Sequence, residues 1–143
     1  MTVETILATK GHNVATIDGD RTLGEAAREL STRRIGALVI VDGGMSVLGI
    51  VSERDIVRGL AQRGAAALDE PVREHRTGRV VTCKAHAGIT EVMQLMTDGK
   101  FRHVPVVEAG RLVGIVSIGD VVKQRLAEIE AETEALREYI ATA

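Results

Sequence analysis

Short apolar runs alternate with segments of helical spacing along the chain. In the first half, the runs predict strands Ala37–Val41 and Val47–Val51, joined through a turn at Asp42-Gly43-Gly44. Both runs are apolar at nearly every position, so we expect them to be covered on both faces. The helix that follows, Glu53–Arg63, is predicted to turn Ile56, Val57 and Leu60 inward.

A second pair of helices is predicted from capping signals and apolar spacing. Thr22-Leu23-Gly24-Glu25 is a capping box, in which Thr and Glu satisfy free backbone donors. The helix it opens places four apolar residues on one face, and a later helix does the same. These two faces are Leu23, Ala26, Ala27 and Leu30, and Ile89, Val92, Met93 and Met96. We expect Gly99 to end the later helix in a left-handed conformation.

One seven-residue segment occurs twice, as Gly-Ile-Val-Ser-Glu-Arg-Asp at 49–55 and as Gly-Ile-Val-Ser-Ile-Gly-Asp at 114–120. In both copies a short apolar strand runs into a Ser that can cap a helix, and an Asp lies in the first helical turn. Segments 15–17, 23–27 and 38–41 match 81–83, 89–93 and 104–107 at one constant offset. The chain is therefore a duplication, and the repeated corner is either a folding device or half of a binding site.

Each repeat unit reads strand, helix, strand, strand, helix. We predict a first unit at 1–64, a connector at 65–79, a second unit at 80–127 and a helical extension at 128–143. Pro71 suits the first turn of a short helix in the connector. Because this segment resembles the N-terminus, each unit is expected to carry its own short leading helix.

The last predicted helix begins near Gly119 and continues to about Ala141. Its apolar positions are spaced alternately four and three residues apart, which is a heptad seam. The seam consists of Val122, Leu126, Ile129, Thr133, Leu136 and Ile140. The extension is either an oligomerisation element or a segment that folds back over its own domain.

Composition narrows the range of functions. The 143 residues carry a net charge of −2, and Phe101 and Tyr139 are the only aromatic residues, so neither duplex nor single-stranded nucleic acid is an expected partner. Cys83 is the only cysteine, which fits a reducing cytoplasm. No apolar run is long enough to span a membrane and no signal peptide is apparent, so we expect a cytoplasmic protein that does not bind membranes. The four histidines lack metal-ligand spacing and no catalytic constellation is present, so neither a metal site nor an enzyme is predicted.

The two Gly-Ile-Val-Ser-x-x-Asp units, with their Leu-Val-Ile-Val and Val-Pro-Val-Val strands, resemble a pair of cystathionine β-synthase-type (CBS) domains, also called a Bateman module. The resemblance covers about Val3 to Leu126. It implies an α/β (α+β) fold of two pseudo-symmetric units, each a small sheet with two packed helices, here with an extended C-terminal helix. It also implies two clefts for adenosine-containing ligands such as AMP, ADP, ATP, S-adenosylmethionine or NAD, and a homodimer.

The resemblance also implies roles for particular residues. Asp55 and Asp120 would bind ribose hydroxyls, and Ser52 and Ser117 would point at ribose or phosphate. The opposite unit would close each adenine slot, pairing Thr82 and Val104 with Asp55, and Thr16 and Ala37 with Asp120. Arg102 and His103 hold the positions of phosphate-binding residues, where the first unit has Gly36 and Ala37. Arg54 adds charge to one cleft and Gly119 leaves room in the other, so both clefts are expected to bind, with different affinities.

The function expected from this resemblance is a non-catalytic sensor that binds an adenine nucleotide as a regulatory ligand, with no required cofactor, and signals to a partner. Two alternatives remain open. The chain is either a dimerising scaffold without functional ligand binding, or an accessory subunit of a regulated enzyme or transporter.

Overall fold

The fold repeats one arrangement of strands and helices, described for residues 1–76 and 80–142 of a computed structural model. The predicted boundary between connector and second unit, at residue 79, lies outside the described residues. Two short 3₁₀ segments, Gly64–Asp69 and Val72–Glu74, follow the first unit. The remaining elements are α1 (Val3–Lys10), β1 (Thr16–Asp18), α2 (Leu23–Arg33), β2 (Ala37–Val41), β3 (Val47–Ser52), α3 (Glu53–Arg63), α4 (Ile89–Gly99), β4 (His103–Glu108), β5 (Arg111–Ser117) and α5 (Ile118–Thr142). The predicted α+β fold with two small sheets is confirmed.

The two sheets have the same internal register. In the first sheet β1 pairs parallel with β2, and β2 pairs antiparallel with β3. In the second sheet β4 pairs antiparallel with β5, and Cys83 forms a parallel bridge to Val106 where β1 would lie. Ala37 lies opposite Ser52 just as His103 lies opposite Ser117. The duplication read from the sequence therefore extends to individual residue pairs.

The two strands of the first hairpin, β2 and β3, are buried to different extents. All five residues of β2 are buried, with Leu38 and Ile40 in the core of the first unit and Val39 and Val41 in a cluster that includes Leu112 of the second unit. In β3, by contrast, buried and more exposed positions alternate, and Leu48 is 37% exposed. The prediction of cover on both faces is correct for β2 and wrong for β3, which is covered on one face and only partly on the other.

The short leading segments are exchanged between the units. Helix α1 contributes Val3, Ile6 and Leu7 to the core of the second unit, whereas the connector contributes Ala67 and Val72 to the core of the first. The expectation that each unit carries its own leading helix is therefore wrong. The exchange ties the two halves together, since removal of either segment would open the core of the other half of the chain.

Helices α2 and α4 pack as their apolar spacing predicts, but the end of α4 differs. Gly99 is the last helical residue, and the left-handed residue is Lys100, with φ of 58°. A Cβ atom on Gly99 would lie 2.1 Å from the ring of Phe101. A larger residue at position 99 would therefore have to displace the Phe101 ring, and the backbone angles of Gly99 do not themselves call for glycine.

Helix α3 turns Ile56 toward the core as predicted, but not Val57 and Leu60. Val57 is 65% and Leu60 39% exposed, while Asp55 and Gly59 are buried. A Cβ atom on Gly59 would lie 3.0 Å from the His75 ring. The helix therefore packs closely through Gly59 and Ile56, and the side chains of Val57 and Leu60 are left outside.

Helix α5 is a single helix of 25 residues. Val121 is buried against the second unit, and every residue from 129 to 142 is exposed. The alternative in which the extension folds back over its own domain is therefore wrong. The heptad seam faces solvent, with Leu126 54%, Ile129 42% and Leu136 59% exposed.

Candidate functional site

The repeated strand-to-helix corners share a reciprocal arrangement of Ser and Asp. In the first corner the backbone N–H of Ser52 donates to Asp55 Oδ2 at 2.8 Å, and the Ser52 hydroxyl donates to the same oxygen at 3.0 Å. In the second corner the N–H of Ser117 donates to Asp120 Oδ2 at 2.9 Å, and the N–H of Asp120 donates to Ser117 Oγ at 3.1 Å. Each carboxylate is thus fixed at the first turn of its helix, where it also complements the helix dipole.

Asp55 is the only buried charged residue among the described residues, with 1% of its surface exposed. Its Oδ1 accepts a hydrogen bond of 3.0 Å from Arg58, one turn further along α3. A buried carboxylate is costly unless hydrogen bonds and a counter-charge compensate it, and this corner supplies both. The side chain is therefore held in one orientation.

A cavity of about 240 Å³ opens at Asp55 between the two units. Its lining combines an apolar wall with polar and charged groups from both halves of the chain. The first unit contributes Gly36, Ile50, Ser52, Glu53, Arg54, Asp55 and Arg58, and the second contributes Val80, Val81, Lys100, Phe101, Arg102 and His103. Because both units contribute, a molecule in this cleft would contact both at once.

Positive charge predominates in the cleft. Three arginines and one lysine line it, against two carboxylates, and His103 adds an imidazole. Guanidinium groups and ammonium groups are the usual protein ligands of phosphate. Ile50, Val80, Val81 and Phe101 form the apolar part of the lining. The cleft can therefore accept a molecule that carries both a flat apolar group and a negative charge.

Six residues predicted for this function line the Asp55 cleft: Gly36, Ser52, Arg54, Asp55, Arg102 and His103. Thr82 and Val104 are not in its lining: Thr82 is exposed, and Val104 is buried in the core of the second unit. Val80 and Val81 are the lining residues from the segment that contains Thr82.

Seven lining residues were not identified from the sequence. Ile50 lies two residues before Ser52, so the two-residue period of a strand could have placed both on one face. Arg58 follows Asp55 at helical spacing, which is the usual signal of a side-chain ion pair. Lys100 and Phe101 directly precede Arg102, but no local pattern shows that such a loop faces another unit. Glu53, Val80 and Val81 complete this set.

His103 is positioned by a close approach to the first unit. A Cβ atom built on Gly36 would lie 3.7 Å from His103 Cε1 and 3.9 Å from Glu53 Oε1. The N–H of Glu53 donates to the Gly36 carbonyl at 3.1 Å. Gly36 therefore supports the start of α3 through its carbonyl and lies beside the imidazole from the opposite unit.

Burial lowers the pKa of His103, and the neighbouring charges of Lys10 and Arg102 lower it further. Asp120 and Glu53 act in the opposite direction without reversing the shift. The imidazole is therefore neutral at pH 7 and becomes a cation only in more acidic solution or beside an added negative charge.

The corner of Asp120 has a different partner. Lys10, the last residue of α1, places its Nζ 2.6 Å from Asp120 Oδ2 and donates a second hydrogen bond of 3.0 Å to the carbonyl of Ile115. Burial raises the pKa of Asp120, but the hydrogen bonds from Lys10 and Ser117 outweigh it and the pKa is lowered. This carboxylate is ionised and bound to an ammonium group of the same chain.

The other residues predicted for the Asp120 cleft have varied surroundings. Ala37 is buried in β2, opposite Ser52, and Gly119 is exposed in the first turn of α5. Thr16 lines a surface groove between β1 and α2, together with Arg21 and Arg28. Salt bridges within α2 and at its start occupy two of the groove's glutamates, Glu25 and Glu29.

Two other classes of site were searched for in the described parts of the chain, residues 1–76 and 80–142. No group of three or more His, Cys, Asp or Glu side chains there is arranged to hold a metal ion. No helix there is both long enough and apolar enough to cross a membrane.

Comparison with known families decides the relationship. The CBS domain model matches twice, at residues 3–62 and 72–127. The chain belongs to the CBS domain family. It is a CBS domain pair, as the repeated segments predicted. The mitochondrial CBS domain-containing protein CBSX3 of Arabidopsis thaliana is 34% identical over 125 residues, which are 85% of this chain and 61% of that protein. The chain thus spans less than two thirds of this relative.

Solved structures of the family have the same fold. The crystal structure of the CBS-domain containing protein ATU1752 from Agrobacterium tumefaciens is 47% identical, has a TM-score of 0.83, and is matched over 87% of this chain and 99% of that one. The CBS domain pair of protein MJ0100, solved in complex with 5-methylthioadenosine and S-adenosyl-L-methionine, is 28% identical with a TM-score of 0.79, over 90% of this chain and 98% of that one.

Proposed function

We propose that this CBS domain pair is a non-catalytic regulatory module that binds an adenosine-containing nucleotide in the cleft at Asp55 and signals its occupancy to a partner. The observation that carries the proposal is the composition of that cleft. It joins a fixed carboxylate, an apolar wall and an excess of cations, and residues of both units line it.

Each part of a nucleotide has a suitable group in the cleft. Asp55 can accept hydrogen bonds from ribose hydroxyls, and bonds to a charged acceptor contribute about 1.5–3 kcal/mol each. Arg54 and Arg102 lie where they can pair with phosphate oxygens, while Val80 and Val81 can pack on the adenine ring. Adenine requires little more than an apolar slot and backbone hydrogen bonds, so small side chains are sufficient there.

The ligands of one relative support the choice of adenosine. The MJ0100 pair binds 5-methylthioadenosine and S-adenosyl-L-methionine, which share an adenosine group and differ in what the 5′ carbon carries. In the present chain, Lys100 and Arg102 lie in the cleft together with Arg54 and Arg58. This excess of positive charge favours a ligand with phosphate, such as AMP, ADP, ATP or NAD, over cationic S-adenosylmethionine.

Signalling follows from the position of the cleft between units. A ligand shifts the equilibrium between two arrangements of the units only as far as it binds one of them better. Gly36 and Asp55 come from one unit and Arg102 from the other, so occupancy can favour one relative orientation. Helix α5 begins one residue after Ser117 and extends into solvent, which makes it the element that can carry the change to a partner enzyme or transporter.

The test is thermal unfolding of the purified chain with AMP, ADP, ATP, S-adenosylmethionine, NAD and, separately, adenosine. A ligand at a hundred times its dissociation constant adds about 2.7 kcal/mol to stability. For a chain of this size that raises the midpoint by roughly 5–10 °C. The shift should shrink in Arg102→Ala and persist in Arg111→Ala, a matched change at an exposed arginine outside the cleft. Absence of any shift, in protein freed of carried-over nucleotide, would refute the proposal.

A dimerising scaffold is the second candidate, and the exposed apolar seam favours it. Val122, Leu126 and Ile129 lie on one face of α5, and each is more than 40% exposed. On α3, Val57 is exposed as well. A homodimer that covers these residues would remove apolar surface from water, which stabilises association.

The cytoplasmic location expected from the sequence also stays a prediction.

A further inference from the structure

The corner of Asp120, where the resemblance to the family places a second cleft, is occupied by a charged group of the chain itself. Lys10 Nζ lies 2.6 Å from Asp120 Oδ2, the oxygen that also accepts the N–H of Ser117. The same ammonium group donates to the carbonyl of Ile115 at 3.0 Å. It thus bridges the carboxylate and the strand that leads into the corner.

Lys10 is held in this position by the packing of its helix. Val3 and Leu7 of α1 are buried in the core of the second unit, with 0% and 1% of their surface exposed. The chain then turns at Gly11, whose N–H donates to the Leu7 carbonyl, and His12 Nδ1 lies 3.1 Å from the carbonyl of Val113. The backbone on both sides of Lys10 is therefore fixed to the second unit.

The corner itself is built like the one at Asp55. In both corners the N–H of the Ser donates to Oδ2 of the Asp three residues later, and β4–β5 has the same register as β2–β3. The carboxylate would therefore stay in place without Lys10, because the bonds from Ser117 hold it. Lys10 instead occupies the part of the carboxylate that Ser117 leaves available to another donor.

We propose that Lys10 is an internal competitor for the second cleft, so that the wild-type chain binds nucleotide at Asp55 and keeps Asp120 closed. The inference rests on the proposed function, since it concerns which of two related corners is available to the same class of ligand.

A ribose hydroxyl and Lys10 would compete for the same oxygen, Asp120 Oδ2. Both a ribose hydroxyl and Lys10 would donate to an ionised acceptor, but only Lys10 adds the attraction between opposite charges. A ligand that displaced Lys10 would also leave the Ile115 carbonyl without this donor. The competitor belongs to the same chain, so it acts at a high effective concentration that dilution does not reduce.

A contrary role for Lys10 makes the opposite prediction. If the ammonium group were a ligand of the nucleotide phosphate, its removal would weaken binding. If it is a competitor, its removal creates a binding site. The two roles are therefore separated by the sign of the effect.

The experiment is isothermal titration calorimetry of the full chain with AMP and, separately, with S-adenosylmethionine. Wild type should bind one molecule per chain, and Lys10→Ala should bind two. Lys10→Arg, which keeps a cation, should retain one, and so should Lys84→Ala, a control at another exposed lysine. The double variant Lys10→Ala/Asp120→Asn should return to one site or bind the second molecule at least tenfold more weakly.

The remaining outcomes are distinct. Two molecules bound by wild type, or one bound by both wild type and Lys10→Ala, would overturn the role of Lys10 and leave the proposed function intact. Loss of binding in Lys10→Ala would show that Lys10 is a ligand residue, which also overturns the inference. No binding of either probe by any of these chains would overturn the inference, and it would refute the proposed function as well if ADP, ATP and NAD also left the unfolding midpoint unchanged.

Discussion

His103 lies directly opposite Ser117 in the β4–β5 ladder, although its side chain lines the cleft of Asp55. Ser117 belongs to the corner of Asp120, so one imidazole lies between the two related sites. In the first unit the equivalent position, opposite Ser52, is occupied by Ala37, whose side chain is too short to reach a cleft. The backbone of His103 therefore pairs with the corner of Asp120, while its side chain lines the cleft of Asp55.

Acidification should destabilise the free protein through His103. Its pKa is lowered in the folded state, chiefly by burial, while the unfolded chain has the ordinary value of about 6.5. In the interval between the two values the unfolded state binds more protons, so the free energy of unfolding rises with pH. We expect the unfolding midpoint to fall as pH is lowered through about 6.5, measured by calorimetry without ligand.

The control for this prediction is His103→Gln, which keeps a polar side chain and removes the titration. Its midpoint should depend less on pH over the same interval. Equal pH dependence in both proteins would contradict the assignment of the effect to His103.

The reciprocal bonds of the first corner should contribute to stability as well as to the site. Asp55→Ala removes the acceptor of two bonds from Ser52 and the partner of Arg58. Loss of a helix cap costs about 0.5–2 kcal/mol, which corresponds to a fall of about 1–8 °C in the unfolding midpoint.

Asp69→Ala is a suitable comparison, because Asp69 is exposed at the end of a 3₁₀ segment. Substitutions at such surface positions usually change stability by less than about 0.5 kcal/mol. An Asp55→Ala protein as stable as this control would show that the corner is not a capping device.

The hairpins and corners could be predicted because their signals are local and occur twice. The run Ala37–Val41 and the Ser-x-x-Asp spacing each specify a structure within a few residues, and a second copy excludes chance. The family and the α+β fold followed from these alone. Asp55 was a candidate for the same reason, whereas Arg54 and Arg102, which have glycines as counterparts, became candidates through the resemblance to the family.

Features that depend on distant contacts could not be predicted. Nothing near Val3 indicates that α1 packs in the core of the second unit, and apolar spacing alone placed Val57 inside. The pairing of Lys10 with Asp120 joins residues 110 positions apart. Such contacts depend on how the two units pack against each other, and the sequence pattern within one unit does not indicate that packing.

The docking of α1 on the second unit can be tested at Gly114. A Cβ atom on this residue would lie 2.8 Å from Leu7 Cδ2, in a packed core. Overpacking of this kind costs about 1–3 kcal/mol, so Gly114→Ala should lower the denaturant midpoint. Leu7→Ala should cost about 2–5 kcal/mol through the cavity it leaves.

Gly43→Ala provides the matched change, because no atom lies within 4 Å of a Cβ built at that position. It should leave stability nearly unchanged. If Gly114→Ala were equally neutral, α1 could not be packed against β5 as described.

Cys83 should be unreactive in the folded protein. Burial, together with the negative charges of Glu91 and Glu108, raises its pKa from 9.0 to about 11. Since the thiolate is the reactive form, this raised pKa reduces the labelling rate at pH 8 about a hundredfold, and the low exposure of the residue, 8%, reduces it further. Labelling by a small disulfide reagent at pH 8 should be slow in buffer and fast in denaturant. Rapid labelling in buffer would contradict burial of Cys83.

The exposed end of α5 should matter for association and not for the fold of one chain. Residues 130–142 are exposed throughout, so deleting 130–143 removes almost no buried surface from a single chain. If the seam at Leu136 and Ile140 joins two copies, the full chain will unfold at a midpoint that rises with protein concentration, because association stabilises by mass action. The truncated chain should lose that dependence and sediment as a smaller species, while its affinity for AMP stays the same. Replacing Glu134 by Ala in the full chain, on a position outside the seam, should change neither property. If the midpoint and the sedimentation of the full chain do not depend on protein concentration, the seam does not join copies of this protein. Any contact that joins two chains makes both quantities depend on concentration.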